Sequence, residues 1–138
     1  MTLDEFTMRA VSVPFEEHGR AWSGWDCYGL IMVAFEAVRG VKLPDVSGEY
    51  QSTLHRHQLN EIFERERSTH WLQVESPLPM DVAVLRLVGR LCHIGLILPR
   101  GRMVHAESRT NTVIEHYTRR PWQGGGVSLI QGFYRWPT

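Results

Sequence analysis

Cys27, His93 and His105 are the residues of this chain whose types and surroundings could support a covalent reaction. Cys27 stands in Gly24-Trp25-Asp26-Cys27-Tyr28-Gly29-Leu30, where a short polar turn passes into the apolar run Leu30, Ile31, Met32, Val33, Ala34, Phe35, Ala37, Val38. The sulfur therefore falls at the start of a buried helix. The N–H groups and dipole of a helix N-terminus favour negative charge and draw a thiol's pKa from ~8.5 toward neutrality. A thiolate so placed is a nucleophile that still needs a base and a group to orient that base. Asp26 reads as the helix N-cap rather than a proton carrier, because a carboxylate aimed at the sulfur would oppose thiolate formation.

The histidines are expected on one β-hairpin. Strands over Leu91–Leu98 and Arg102–Glu107 flank Pro99-Arg100-Gly101, the composition of a three-residue loop in which Pro starts a type I turn and Gly takes the following left-handed position. If Leu98 faces Arg102, His105 falls opposite Gly95, and His93 lies two residues along on the same face. Such a diagonal pair has Cα atoms roughly 7–8 Å apart, within imidazole reach, and Gly95 puts no side chain between the rings. A two-residue loop would instead send the histidines to opposite faces. Alternation turns Cys92 away with Ile94, Leu96 and Leu98, as a small core residue.

The elements that must position these residues are legible as patterns. At 138 residues, with 43% hydrophobic and 22% charged content, the chain fits one domain, 1–138, with a core that needs no disulfide staple. The helix over about Cys27–Arg39 is apolar on most faces, hence buried, and Gly40 sits where a left-handed cap is wanted. Leu3, Phe6 and Val11 or Val13 share a face near the N-terminus, with Pro14 ending any helix there. Glu16–Trp25 reads as a loop. A surface helix is expected over about Leu54–Arg67, with Glu61 four residues before Arg65. Short strands follow over Val82–Leu87, Leu91–Leu98, Met103–Ala106, Thr112–Tyr117 and Val127–Arg135. Helices first and strands later predict an α+β fold with a mostly antiparallel sheet. Gly124-Gly125-Gly126 lacks the context of a phosphate loop and reads as a linker.

Fifteen basic residues balance fifteen acidic ones, so no net field recruits nucleic acid or an anionic membrane. Met1-Thr2-Leu3-Asp4-Glu5-Phe6 is not the start of a secretory signal, and no apolar run is long enough to span a bilayer, so synthesis in a cytoplasm without membrane insertion is expected. The cysteines and histidines lack the paired close spacings of a zinc site, and no metal or cofactor is expected. Trp22 and Trp25 are candidates for a glycan groove or for core packing. His18 and Arg20 are candidates for a substrate carboxylate or for a solvated loop. His55, His57, His70 and His116 belong to no constellation and are assigned to the surface.

Asp26-Cys27-Tyr28-Gly29-Leu30, His93-Ile94-Gly95-Leu96 and His105-Ala106, twelve residues after His93, together resemble the NlpC-type peptidoglycan cysteine peptidases, a papain-like family. The similarity runs from about Val13 to Ala106 and includes Gly40-Val41-Lys42-Leu43-Pro44. Pro14-Phe15-Glu16-Glu17-His18-Gly19-Arg20, the aromatic residue after Cys27, and the ending around Gly132-Phe133-Tyr134-Arg135 are similar to members carried at the tail tip of tailed phages. Tyr28 stands where the family commonly has Ser, Phe15 where many members have Tyr, and Met80-Asp81 where Gly-Asp is usual.

The resemblance implies a papain-like NlpC-type fold, N-terminal helices packed on a five- to six-stranded sheet. It implies that Cys27 attacks an amide carbonyl of a peptidoglycan stem peptide, between D-Glu and a diamino acid. His93 then serves as base and acid, and His105 holds its tautomer. Backbone N–H groups at the helix start, that of Cys27 among them, would meet the tetrahedral oxygen, at about 3 kcal/mol per well-placed donor. Tyr28, Phe15 and Trp25 are candidate substrate neighbours; Asp26 and Gly95 are structural supports. The implied partners are other tail-tip or hub proteins, the implied location a virion tail acting at the bacterial wall. The rival reading is a tail-tip assembly protein that keeps the fold and no longer cuts.

Overall fold

The apolar run after Cys27 forms helix α2, Cys27–Arg39, within the boundaries expected from its pattern. Asp26 caps its start from an extended conformation. Its end is closed by Gly40 at φ 65°, with the N–H groups of Gly40 and Val41 bonded back to Glu36 and Phe35 carbonyls at 3.1 Å. This is the left-handed closure for which glycine is suited. Leu30, Ala34 and Phe35 are fully buried, as a helix apolar on most faces requires.

The molecule is known from a computed structural model that describes residues 1–51, 56–87, 90–107, 111–119 and 129–137. Helix α1 spans Leu3–Ala10, started by a reciprocal capping box between Thr2 and Glu5, and it buries Phe6 and Ala10. Val13 joins the core after the helix has ended, whereas Val11 is exposed. Helix α3 spans Arg56–Thr69 and anchors through Ile62 and Phe63. The expected start of α3 at Leu54 lies outside the described residues. Arg65 pairs with Glu49 at 2.9 Å, a residue of the Ser47–Glu49 3-10 turn.

Two strands of two residues each, β1 (Arg20–Ala21) and β2 (Gly24–Trp25), pair antiparallel inside the stretch expected to be a loop. They are too short to leave a periodic signal. Trp25 is further fixed by exchange with the preceding segment: its N–H donates to Pro14 O at 3.2 Å, and its carbonyl accepts from Glu16 N at 2.9 Å.

The main sheet comprises β3 (Leu72–Val74), β4 (Val82–Leu87), β5 (Arg90–Leu98), β6 (Arg102–Glu107), β7 (Asn111–His116) and β8 (Ile130–Arg135). Their spatial order is β3-β8-β4-β5-β6-β7, with antiparallel pairing at each described junction. The fold is therefore α+β with a six-stranded sheet, as expected, although β3 left no signal in three residues. The part of the last strand expected from Val127 to Ser128, and the triple-glycine linker, lie outside the described residues.

Alternation divides the sheet into two faces. Val82, Ile94, Leu96, Leu98, Val104 and Ala106 pack with the helices in the larger cluster. Ala83, Leu85, Ile97 and Met103 pack on the other face with Tyr117, Leu129, Ile130 and Phe133. The backbone before β4 turns at Met80, which is buried yet takes φ 77°. That left-handed geometry explains why a glycine is usual there in the family the chain resembles.

Candidate active site

Cys27 is the first residue of α2 and a buried thiol, 4% exposed. The residue before it governs how the helix begins. Asp26 is fully buried, and its carboxylate accepts from Gly29 N–H at 2.8 Å, Arg20 Nη1 at 2.8 Å, His18 N–H at 3.0 Å and the Tyr50 hydroxyl. Arg20 also bonds Tyr50 Oη at 2.8 Å. Burial works against the Arg20 charge, but Asp26, Tyr50 and Asp45 hold its pKa above the ordinary value. Burial, then Asp26, pushes the Tyr50 phenol up, so it remains a donor. The Asp26 charge is thus matched by a guanidinium and directed into the loop, which removes its objection to a neighbouring thiolate.

This arrangement accounts for His18 and Arg20. Arg20 is engaged by Asp26 and Tyr50, and His18 Nε2 lies 2.7 Å from Tyr50 O. Both serve the start of α2. Gly29 is part of the same junction, since a Cβ there would collide with the Gly19 carbonyl oxygen and press on Trp25 Cβ at 3.0 Å.

The β5–β6 hairpin has the expected register, with Leu96, Ile97 and Leu98 facing Val104, Met103 and Arg102. Its three-residue loop is not the expected type I turn, because Arg100 as well as Gly101 has positive φ, 66° and 69°. Loop length rather than turn type set the register. A Cβ built on Gly95 would lie 3.5 Å from His105 Cβ and 3.1 Å from Met103 Sδ, so Gly95 and His105 do share a face. His93 Nε2 and His105 Nδ1 are 2.7 Å apart, and the rings cross at 78° with centroids 4.9 Å apart. Both rings are buried, His93 7% and His105 1% exposed.

On the far side of His105, its Nε2 lies 2.7 Å from Glu115 Oε2 on β7. Sequence reasoning gave Glu115 no role. The signal was available only through the β6–β7 register, in which His105 faces Val113 and Glu115 follows on the same face.

α2 packs against β5 and β6, the two strands that carry the histidines. The proposed substrate neighbours fare differently. Trp25 is fully buried, stacked on Phe6, with its Nε1–H donated to Thr112 Oγ1 at 2.8 Å, so it offers no surface to a substrate. Tyr28 is 6% exposed and donates its hydroxyl to Pro44 O at 2.8 Å. Both side chains are buried, held by partners distant in sequence. Phe15 is half-buried against the larger cluster, and its N–H donates to Asn111 Oδ1 at 3.0 Å. Trp22 is half-buried under the Arg9 guanidinium, 4.1 Å from the ring centroid. His70 pairs with Glu66 at 2.7 Å and stacks on Trp136. His55 and the side chains of His57 and Cys92 lie outside the described residues. Among the described residues, no group of three or more His, Cys, Asp or Glu is placed to hold a metal ion, and no helix is long and apolar enough to cross a membrane.

A family model described as NlpC/P60 matches residues 12–129. The chain belongs to the NlpC/P60 family. Among solved structures, this NlpC/P60 chain is similar to the peptidoglycan hydrolase RipB from Mycobacterium tuberculosis, with 22% identity, a TM-score of 0.53, and coverage of 94% of this chain and 62% of that one. It is also similar to the P60 domain of an antigen of M. avium subspecies paratuberculosis, with 20% identity, a TM-score of 0.53, and coverage of 94% and 90%. NlpC2 from Trichomonas vaginalis gives a TM-score of 0.62 at 14% identity, covering 96% of this chain and 47% of that one. At these identities the likeness is one of fold, and the chain spans less than half the length of several of the larger proteins. No curated protein matches. NlpC/P60 domains are generally cysteine peptidases and peptidoglycan hydrolases, which makes cell-wall hydrolysis the activity suggested for this one.

Proposed function

We propose that this NlpC/P60 domain cleaves an amide bond in a peptidoglycan stem peptide by a Cys27–His93–His105 mechanism, as a component of a phage tail tip. The observation that carries the reading is the 2.7 Å contact between His93 Nε2 and His105 Nδ1. With Nε2 turned to His105, the nitrogen of His93 assigned to the thiol is Nδ1. It takes the Cys27 proton as sulfur bonds to the amide carbonyl carbon, and the oxyanion is met by N–H groups at the start of α2. Collapse breaks the C–N bond, and His93 returns the proton to the departing amine. A water then loses a proton to His93, attacks the thioester, and releases the carboxylate and the Cys27 thiol. The tail-tip setting is supported by the resemblance of the Pro14–Arg20 segment to phage members, with the other tail-tip or hub proteins as neighbours.

Digestion of defined muropeptides, followed by mass spectrometry, tests the reaction. New fragments from a cut between D-Glu and the diamino acid, absent with Cys27→Ala, are the expected result. Intact muropeptides with both proteins would overturn it. A second reading, a tail-tip assembly protein without activity, is favoured by the burial of Cys27 and the missing hydroxyl at Phe15. Iodoacetamide separates the two: rapid alkylation of Cys27 relative to Cys92 at pH 7 supports the enzyme, and equal sluggishness supports the assembly role.

A further inference from the structure

We propose that Glu115 is a positioning residue of this site, acting through His105 to set the tautomer of both imidazoles; the inference rests on the hydrolase reading above. His105 has each ring nitrogen engaged: Nδ1 at 2.7 Å from His93 Nε2, and Nε2 at 2.7 Å from Glu115 Oε2. A carboxylate can only accept, so Nε2 of His105 carries a proton and donates it to Glu115. In neutral His105, Nδ1 is then a lone pair, and the contact to His93 requires the proton to sit on His93 Nε2. That leaves Nδ1 of neutral His93 with its lone pair, the state a general base toward the Cys27 thiol must have. One carboxylate thus selects, through two hydrogen bonds, which nitrogen of a ring two strands away is basic. This is the logic of an Asp that orients a catalytic His, lengthened by one imidazole.

The same row accommodates the charge that arrives with the thiol proton. His93 becomes an imidazolium whose Nε2–H points to His105, and the Glu115 carboxylate lies beyond it at the end of the chain of bonds. His105 is fully buried at its side chain, while Glu115 is 38% exposed, so the relay begins at the solvent boundary and ends in the interior. Strand geometry holds it there, since Met103 faces Glu115 and His105 faces Val113 across β6–β7. The partial exposure of Glu115 makes it replaceable without opening the core.

Long-range ¹H–¹⁵N spectra of the full chain with ¹⁵N-labelled histidine test this directly. His93 and His105 should both carry the proton on Nε2. Glu115→Ala should mix or reverse the His105 tautomer and lower kcat on the muropeptide by roughly 10- to 100-fold, the range for losing an outer partner of a metal-bound histidine, with KM little changed. Glu115→Gln, whose amide oxygen can still accept, should keep the tautomers and recover part of kcat, separating orientation from charge. An Nδ1–H tautomer for His105 in the wild-type chain would overturn the proposal. So would a Glu115→Ala variant with unchanged tautomers and unchanged kcat. If the wild-type chain cuts no muropeptide and Cys27 alkylates slowly, the hydrolase reading fails, and the spectra still decide whether Glu115 governs the imidazole pair.

Discussion

Asp26 and Cys27 are neighbours with opposed needs, one a carboxylate at the helix cap and the other a sulfur that the proposed reaction requires to become an anion. Four donors around the Asp26 carboxylate reconcile them. Asp26→Ala should therefore cost more than the ~1 kcal/mol of an ordinary cap, because it removes the acceptor shared by the half-buried Arg20 guanidinium, the buried Tyr50 hydroxyl and two N–H groups. A loss of about 3 kcal/mol or more in urea unfolding is expected, and a loss near 1 would mean the network contributes little. Tyr28 governs a different property. Burial raises its phenol pKa above the ordinary value, with Glu66 adding to the shift. A raised folded pKa means that the contribution to stability is fully present below the unfolded phenol pKa of ~10, and is lost as pH climbs beyond it. Tyr28→Phe, which lacks the ionisable group, should lose less stability between pH 9 and 11 than the wild-type chain. Urea midpoints across that range would show parallel curves if the assignment of cause is wrong.

The β5–β6 hairpin is the element that brings the imidazoles together, and its tolerance is narrow at Gly95. A methyl group there would meet the flexible end of Met103, which can yield, and only then the rigid Cβ of His105. Gly95→Ala should cost about 1 kcal/mol, while the branched side chain of Gly95→Val should push His105 off its two partners. Hydrolysis should fall more steeply than stability from Ala to Val, measured as kcat beside the urea midpoint. Proportional losses would indicate general unfolding of the hairpin rather than displacement of the ring. The loop tells the same story from the other end: two left-handed residues replace the expected type I turn, yet the pairing of Leu98 with Arg102 is unchanged.

At the scale of the whole molecule, the helical layer and the sheet edge are tied by one hydroxyl. Thr112 Oγ1 accepts from Trp25 Nε1 at 2.8 Å and donates to Val13 O at 2.9 Å, fastening the approach to α2 onto β7. All of these atoms are buried, so Thr112→Val leaves a donor and an acceptor unpaired in a dry interior, at a cost of about 1–3 kcal/mol. The loss should be smaller in a Trp25→Phe background, where no indole N–H remains and only the Val13 carbonyl is orphaned. A double-mutant cycle in denaturant measures the difference, and additive losses would remove this tie from the account.

What could be read from the amino acids alone was whatever short-range periodicity and loop length encode. The span of α2, its Gly40 closure, the Asp26 cap, the hairpin register and the shared face of His93 and His105 all depend on residues within a few positions of one another. So do the motifs that carry the family resemblance. The two-residue strands β1 and β2, the three-residue β3, the core placement of Trp25 and Tyr28 and the role of Glu115 were decided by tertiary structure. Trp25 meets Thr112 87 residues away and Phe15 meets Asn111 96 residues away, contacts that no local pattern announces. A side chain's neighbours across strands and layers determine whether it faces substrate, packs in a core or steers a proton, and those neighbours exist only once the chain has closed on itself.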